Sequence, residues 1–442
     1  SARINSDVDV LIVDWHGGLR GKRLPVSMRS KIADSEARIP LSTQAMDIWG
    51  DDRDEITGLG LSIGDPDGLC TPEVDGHGFH PQPWNEGNEQ ILCSLYKTNG
   101  EPSEFDTRSI LSRVVKELNN DGLHPVVAVE LEFYLLDEST ARSGIPSVPK
   151  ELTIAGRPDD LQLYDMRVMD RVSTLLQRIH RYAKQMGIPA ETSLAEFGPG
   201  QFEINLKHQS SPVCAADHAV LFKQLVDRAA HEHGLLASFM AKPYTEHGGS
   251  GQHVHISLLN KNGDNVFDSA SNSDNKLLHA ANGCLELMSE SQLVFAPHAN
   301  SYRRLQPDSF APVKCDWGYD HRGVAVRLPE TSGKAARLEH RVSGADANPY
   351  LVLSTLLASV HEGLKRAELP VSKPLLSGEQ SSATTLTHDW LTAIDNFENS
   401  PTLQRVLGEK FCEIYVRMKR HEASTFNRQV SNVDLSTYLT RV

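Results

Sequence analysis

The chain has 442 residues, more than one hydrophobic core ordinarily supports, so two domains are expected. Apolar residues make up 39% and charged residues 23%, a globular balance without an apolar run of bilayer-spanning length, which argues against a membrane partner. A formal charge of -14 with no basic run argues equally against nucleic acid as a partner.

The N-terminal segment, beginning Ser1-Ala2-Arg3, shows no basic stretch followed by an apolar one, so a cytoplasmic location is expected. Val8 to Asp14 reads as a strand running into the turn-prone Gly17-Gly18, and the first hundred residues carry strand and turn signals without a long helix. An amphipathic helix starts near Thr107, with Ile110, Leu111, Val114, Val115 and Leu118 on one stripe and Gly122 as its stop. This places a domain boundary near Asp106, giving an N-terminal domain over 1–105 and a larger one over 106–442. Helices are predicted over Val172 to Met186, Ala215 to His233 and Tyr350 to Leu364, alternating with strands, and 371–387 reads as a polar surface loop. The expected class is α+β. Six cysteines lie far apart without CxxC spacing and read as reduced, buried thiols.

Four predicted strands carry functional groups at every second position. Val127, Val129, Leu131, Phe133 and Leu135 alternate with Glu130 and Glu132; Phe202, Ile204 and Leu206 alternate with Gln201, Glu203 and Asn205, with Glu196 just across the Gly198-Pro199-Gly200 turn. Val254, Ile256 and Leu258 alternate with His253, His255 and Ser257, after a glycine-rich loop at 248–251, and Arg337, Glu339 and Arg341 share a face. Singly, each is the solvated side of a half-exposed strand. Together, Glu130, Glu132, Glu196, Glu203, Glu339 and His253, with very little lysine, form a ligand set suited to Mg2+ or Mn2+. Arg304, Arg322, Arg327, Arg337 and Arg341 cluster in one stretch and suit carboxylates and phosphates. Metals with convergent arginines point to phosphoryl transfer, while neither a P-loop nor a strand-linked GxGxxG is present.

These segments resemble the glutamine synthetase family. The resemblance rests on Glu130-Leu131-Glu132-Phe133, Glu196 to Glu203, Gly249 to His255, Asn300 to Leu305, and Arg337 to Arg341 leading to Asn348-Pro349-Tyr350-Leu351, in the family's order. A weaker Asp14 to Lys22 stretch resembles the family's small β-grasp domain. The resemblance implies a β-grasp domain ahead of a catalytic domain with an antiparallel sheet, two or three divalent ions per site, and a homo-oligomeric ring, hexamer or dodecamer. By it, Glu132, Glu196 and Glu203 hold the metal nearer glutamate, while Glu130, His253 and Glu339 hold the one on the ATP phosphates. It assigns glutamate's carboxylates to Arg304 and Arg341, with Gly249 in the glutamate loop, and the transferring phosphoryl group to Arg322. His255, Ser257, Arg327, Lys334 and Arg337 become nucleotide contacts. The reaction implied is ATP-dependent ligation of glutamate to an amine through γ-glutamyl phosphate.

Two departures touch the amine. The family's acidic flap residue aligns with Phe310, which cannot act as a base, although Asp308 lies near, and the family's Asp-Gly-Ser-Ser latch is replaced by Met46 to Asp51, including Trp49. A smaller departure lies in the glutamate-binding loop, where Gly248 stands in place of the usual asparagine and bears on glutamate affinity. The likeness is therefore greater to γ-glutamylpolyamine and γ-glutamylamide synthetases, with Trp49, Phe310 and Trp317 as candidate packing surfaces for the amine's carbon body. Asp51, Asp52, Asp54 and Glu55 offer an alternative, attraction for the far ammonium of a diamine. Two other readings stay open: an ammonia-using glutamine synthetase, should Asp308 or Asp51 rebuild the ammonium site, and a non-catalytic homologue, which the presence of all six metal-ligand candidates disfavours.

Overall fold

A computed structural model describes residues 6–72, 78–153, 161–271, 274–307 and 309–442. Asp308 lies outside the described residues. Seven short strands open the chain: β1 Asp7–Val13, β2 Leu19–Pro25, β3 Arg38–Pro40, β4 Asp67–Thr71, β5 His80–Pro81, β6 Glu89–Leu92 and β7 Ser94–Tyr96. They form a four-stranded sheet, β2-β1-β6-β5, and a three-stranded one, β3-β4-β7. β1 is covered on both sides, which is why it reads as a near-continuous apolar run: Val8, Val10 and Ile12 face a small core with Ile32, Ile39, Cys70 and Ile91, while Leu11 and Val13 join the main core. Gly17, at φ +80°, makes the turn into β2.

The remaining strands are β8 His124–Asp137, β9 Ala190–Ala195, β10 Gln201–Leu206, β11 Leu235–Ser238, β12 Gln252–Leu259, β13 Trp317–Tyr319, β14 Val326–Glu330 and β15 Arg337–His340. They join in the order β13-β14-β15-β12-β8-β10-β9, with β11 also paired to β8. All these pairings are antiparallel except β13 with β14. Val127, Val129, Leu131, Phe133, Phe202, Ile204, Val254 and Ile256 are buried on one face, where helices pack. Their alternate neighbours are left on the other face, so the predicted division of each strand into an apolar and a functional side holds in the sheet.

The helix Thr107–Asn120 is capped by Asp106, whose carboxylate accepts from the Ser109 amide at 2.8 Å, and Gly122 follows at φ +75°. Ser173–Gln185 is followed by Gly187 at φ +72°. Pro212–His231 and Pro349–Arg366 begin earlier than predicted, because Ser211 and Asn348 cap them and a proline opens the first turn, where its missing N–H costs nothing. A buried ion pair ties these helices together. Arg108 donates to both Asp217 oxygens at 3.0 Å, and Tyr350 Oη donates to Asp217 Oδ1 at 2.6 Å. The six cysteines are free thiols, and Val371 in the predicted loop is fully exposed. Among the described residues no helix is long and apolar enough to cross a membrane.

Candidate active site

Strand register assembles the carboxylates. Glu203 on β10 stands opposite Glu132 on β8, and His253 on β12 stands opposite Glu130. On the other side of β12, His255 faces Glu339 on β15, and Glu339 faces Arg327 on β14. Glu196 follows β9, where its amide donates to Gln201 O across the tight turn. Ligand atoms of Glu132, Glu196 and Glu203 lie within 4.8 Å of one another, as do those of Glu130, Glu203 and His253, and those of Glu130, His255 and Glu339. His255, predicted as a nucleotide contact, thus also lies at ligand distance, with Nε2 2.9 Å from Glu130 Oε1.

The electrostatics separate the two ends of this row. Burial, then the charge of Glu132, pushes the Glu196 carboxyl up to about 7 against the pull of Arg341 and Arg322. Burial, then Glu130, Glu132 and Glu196, raises Glu203 to about 9. Burial opposes ionisation of Glu130 too, but hydrogen bonds from His253 and His255 outweigh it and hold that carboxyl well below the usual range. Burial likewise works against Glu339, whose carboxyl is nevertheless lowered to about 2 by the charges of Arg341, His253 and His255. Carboxylates crowded to this degree fit a hard divalent cation, which removes the like-charge cost that the raised Glu203 and Glu196 record.

Two cavities meet at Glu130. The larger, about 900 Å³, is lined by Glu130, His255, Ser257, Lys334 and Arg337, and also by Lys207 to Ser210. The smaller, about 280 Å³, is lined by Glu130, Glu132, Glu196, Glu203, His253, Gly249, Arg304, Arg322, Arg341 and Phe310. Of the predicted nucleotide residues, Arg327 lines neither; it donates to Glu339 Oε2 at 2.8 Å and to Asp320. Glu339 is held from its other side by Arg341 Nη1 at 2.5 Å, and Arg341 Nε is a buried donor without a hydrogen-bond partner among the described residues.

The glycine-rich loop earns its composition from close approach. A Cβ on Gly249 would stand 2.7 Å from Arg304 Cγ and 2.5 Å from Ala241 O, and one on Gly251 would stand 2.8 Å from His253 Nε2. Arg304 is buried and spends donors on the Val342 carbonyl at 2.6 Å and the Arg341 carbonyl at 3.4 Å. Only part of its guanidinium therefore remains for a ligand.

Sequence reasoning missed several lining residues. Phe197, Leu163 and Tyr164 border the smaller cavity, and 207–210 borders the larger. Gln201, noted on the functional face, links the cluster to the loop: its amide donates to Glu132 Oε2 at 3.3 Å and to Gly249 O at 3.1 Å. Trp317 is a correction. It is buried in β13 and donates its indole N–H to Ser372 O at 3.0 Å, so it offers no surface to an amine. Trp49 is 52% exposed on its loop and lines neither cavity of its own chain. The acidic run is partly committed: Asp54 accepts from Gly60 and Ser62 amides, and Asp51 pairs with Arg53.

The family description "Glutamine synthetase, catalytic domain" matches residues 104–438. The chain belongs to the glutamine synthetase family, a family of carbon–nitrogen ligases. Within it, the chain is 38% identical to the gamma-glutamylputrescine synthetase PuuA of Escherichia coli (strain K12), over 98% of this chain and 91% of that protein. It is 31% identical to a glutamate–isopropylamine ligase of Pseudomonas sp, covering 97% and 93%. The solved GmaS/ADP complex superposes with a TM-score of 0.83 over 98% of this chain and 97% of that one at 24% identity, a likeness of fold. The glutamine synthetase-type fold places the small N-terminal sheets ahead of the large sheet that carries the site.

Proposed function

We propose that the chain is an ATP-dependent ligase that joins the γ-carboxylate of glutamate to an organic primary amine. The observation that carries this reading is the composition of the smaller cavity: a carboxylate cluster, two buried arginines and an aromatic pair converge there, next to a cavity large enough for a nucleotide. The names of the similar ligases, for putrescine and isopropylamine, support an organic amine over ammonia.

In this reading ATP occupies the 900 Å³ cavity, with His255, Ser257, Lys334 and Arg337 along it and Arg327 bracing Glu339. Glu132, Glu196 and Glu203 hold one divalent ion, Mg2+ or Mn2+, and Glu130, His253 and Glu339 a second. Bound there, such ions supply charge neutralisation to phosphates and carboxylate. Arg341, with its unpartnered Nε, and Arg304 bind the carboxylates of glutamate, and Gly249 lets the substrate backbone approach. The γ-carboxylate oxygen attacks the γ-phosphorus of ATP, ADP leaves, and Arg322 steadies the transferring phosphoryl group. The neutral amine nitrogen then attacks the acyl carbon of γ-glutamyl phosphate, the C–O bond to phosphate breaks, and the departing phosphate takes up the proton that the new amide nitrogen sheds. Phe310, with Trp49 from a neighbouring subunit of a homo-oligomeric ring, borders the amine.

Oxygen transfer tests the intermediate. With glutamate labelled by oxygen-18 in its γ-carboxylate, one label should reach inorganic phosphate during turnover with an amine. Unlabelled phosphate contradicts an acyl phosphate.

A further inference from the structure

Phe197 and Phe310 come from distant segments, yet their ring centroids lie 4.5 Å apart at an interplanar angle of 57°. Both rings line the smaller cavity, and Phe310 is 65% exposed in the single chain, so the pair presents a face to that cavity. Gly248 makes room for it. A Cβ on Gly248 would stand 3.7 Å from Phe310 Cδ2 and 3.4 Å from Gln201 Oε1, so a methyl fits at contact distance and a longer side chain competes with the ring for the adjoining space. Gly248 is itself held in place, because Tyr134 Oη donates to its carbonyl at 2.6 Å. The ring pair adjoins Glu196, and Leu163, Tyr164 and Ala311 continue the wall of the same cavity.

We propose that Phe197, Phe310 and Gly248 act as one specificity-determining unit, an aromatic lane beside Glu196 that takes the hydrocarbon body of a primary amine several carbons long. This rests on the ligase reading above and names its amine class. The reacting nitrogen of the amine points toward the carboxylate cluster, and its methylenes lie along the rings. The lane discriminates against ammonium because ammonium has no carbon body to bury there.

The test is kcat/KM for unbranched primary amines from methylamine to hexylamine, with wild type, Phe197→Ala, Phe310→Ala and Gly248→Asn. In the wild type kcat/KM rises along the series. Both alanine variants lower the hexylamine-to-methylamine ratio roughly tenfold or more, the scale on which apolar pockets discriminate by added methylenes. Gly248→Asn does the same by displacing the Phe310 ring. An unchanged ratio in Phe197→Ala and Phe310→Ala overturns the proposal, and Phe310, being mostly exposed, can be truncated without loss of the fold. A wild type that makes no product with any amine overturns the ligase reading instead.

Discussion

Glu203 and Glu132 face each other as register partners on adjacent antiparallel strands, with Glu196 at ligand distance from both. Neutralising one member should therefore relieve repulsion in the chain itself while removing a ligand. Glu132→Ala is expected to lower glutamate-dependent ATP turnover by roughly a hundredfold or more, as losses of charge stabilisation at a reacting centre do. Glu203→Gln should in addition reduce the thermal stabilisation given by Mg2+, leaving the share that comes from an ion at Glu130, His253 and Glu339. Calorimetry with and without the ion, beside a phosphate-release assay, reads both effects.

The same crowding sets a pH dependence. Folded Glu203 and Glu196 are raised to about 9 and about 7, so between the ordinary glutamate value and those points the folded chain holds more protons than the unfolded one. Their contribution to stability is thus full at low pH and is lost as pH rises through about 7 and then about 9. Glu130 and Glu339, held low, act in the opposite sense, and only below the glutamate range. A divalent cation displaces the extra protons, so the Mg2+-induced rise in Tm should be larger near pH 9 than near pH 6. Equal rises at both would contradict protonated carboxyls at the site.

Stability should depend strongly on a pair well away from the carboxylates. Arg108 and Asp217 are buried and doubly hydrogen-bonded, so Arg108→Ala leaves a buried charge alone. The expected cost is about 3 to 5 kcal/mol, visible as a lowered denaturation midpoint.

Tyr134→Phe removes the hydrogen bond to Gly248 O while keeping the ring. One neutral hydrogen bond contributes about 1 kcal/mol, so KM for glutamate or amine should rise several-fold with Tm little changed. A fall in Tm with unaltered KM would show that the Tyr134 hydrogen bond serves stability alone.

Much of the site was legible because strand periodicity is a local signal. Alternation in 127–135, 201–206 and 252–258 separates core from functional face without knowledge of partners, and register then brings Glu130, Glu132, Glu203 and His253 together. What stayed hidden is non-local. The contact of Phe310 with Phe197 and with the space over Gly248 joins segments distant in the chain, so the departures at 248 and 310 read separately in the sequence and together in the fold. The same reason hid 207–210 beside the larger cavity, and it misplaced Trp317, whose indole N–H is satisfied by the Ser372 carbonyl. The helix starts at Pro212 and Pro349 lie ahead of the predicted Ala215 and Tyr350 because capping by Ser211 and Asn348, rather than apolar periodicity, sets them.

The most direct measurement is phosphate release from ATP with Mg2+ and glutamate, comparing ammonium with putrescine, spermidine, short alkylamines, phenylethylamine and tyramine. The account predicts release with an organic amine that exceeds release with ammonium, together with the matching γ-glutamyl amide by mass spectrometry. Release with ammonium alone would contradict it and assign the chain to glutamine synthesis.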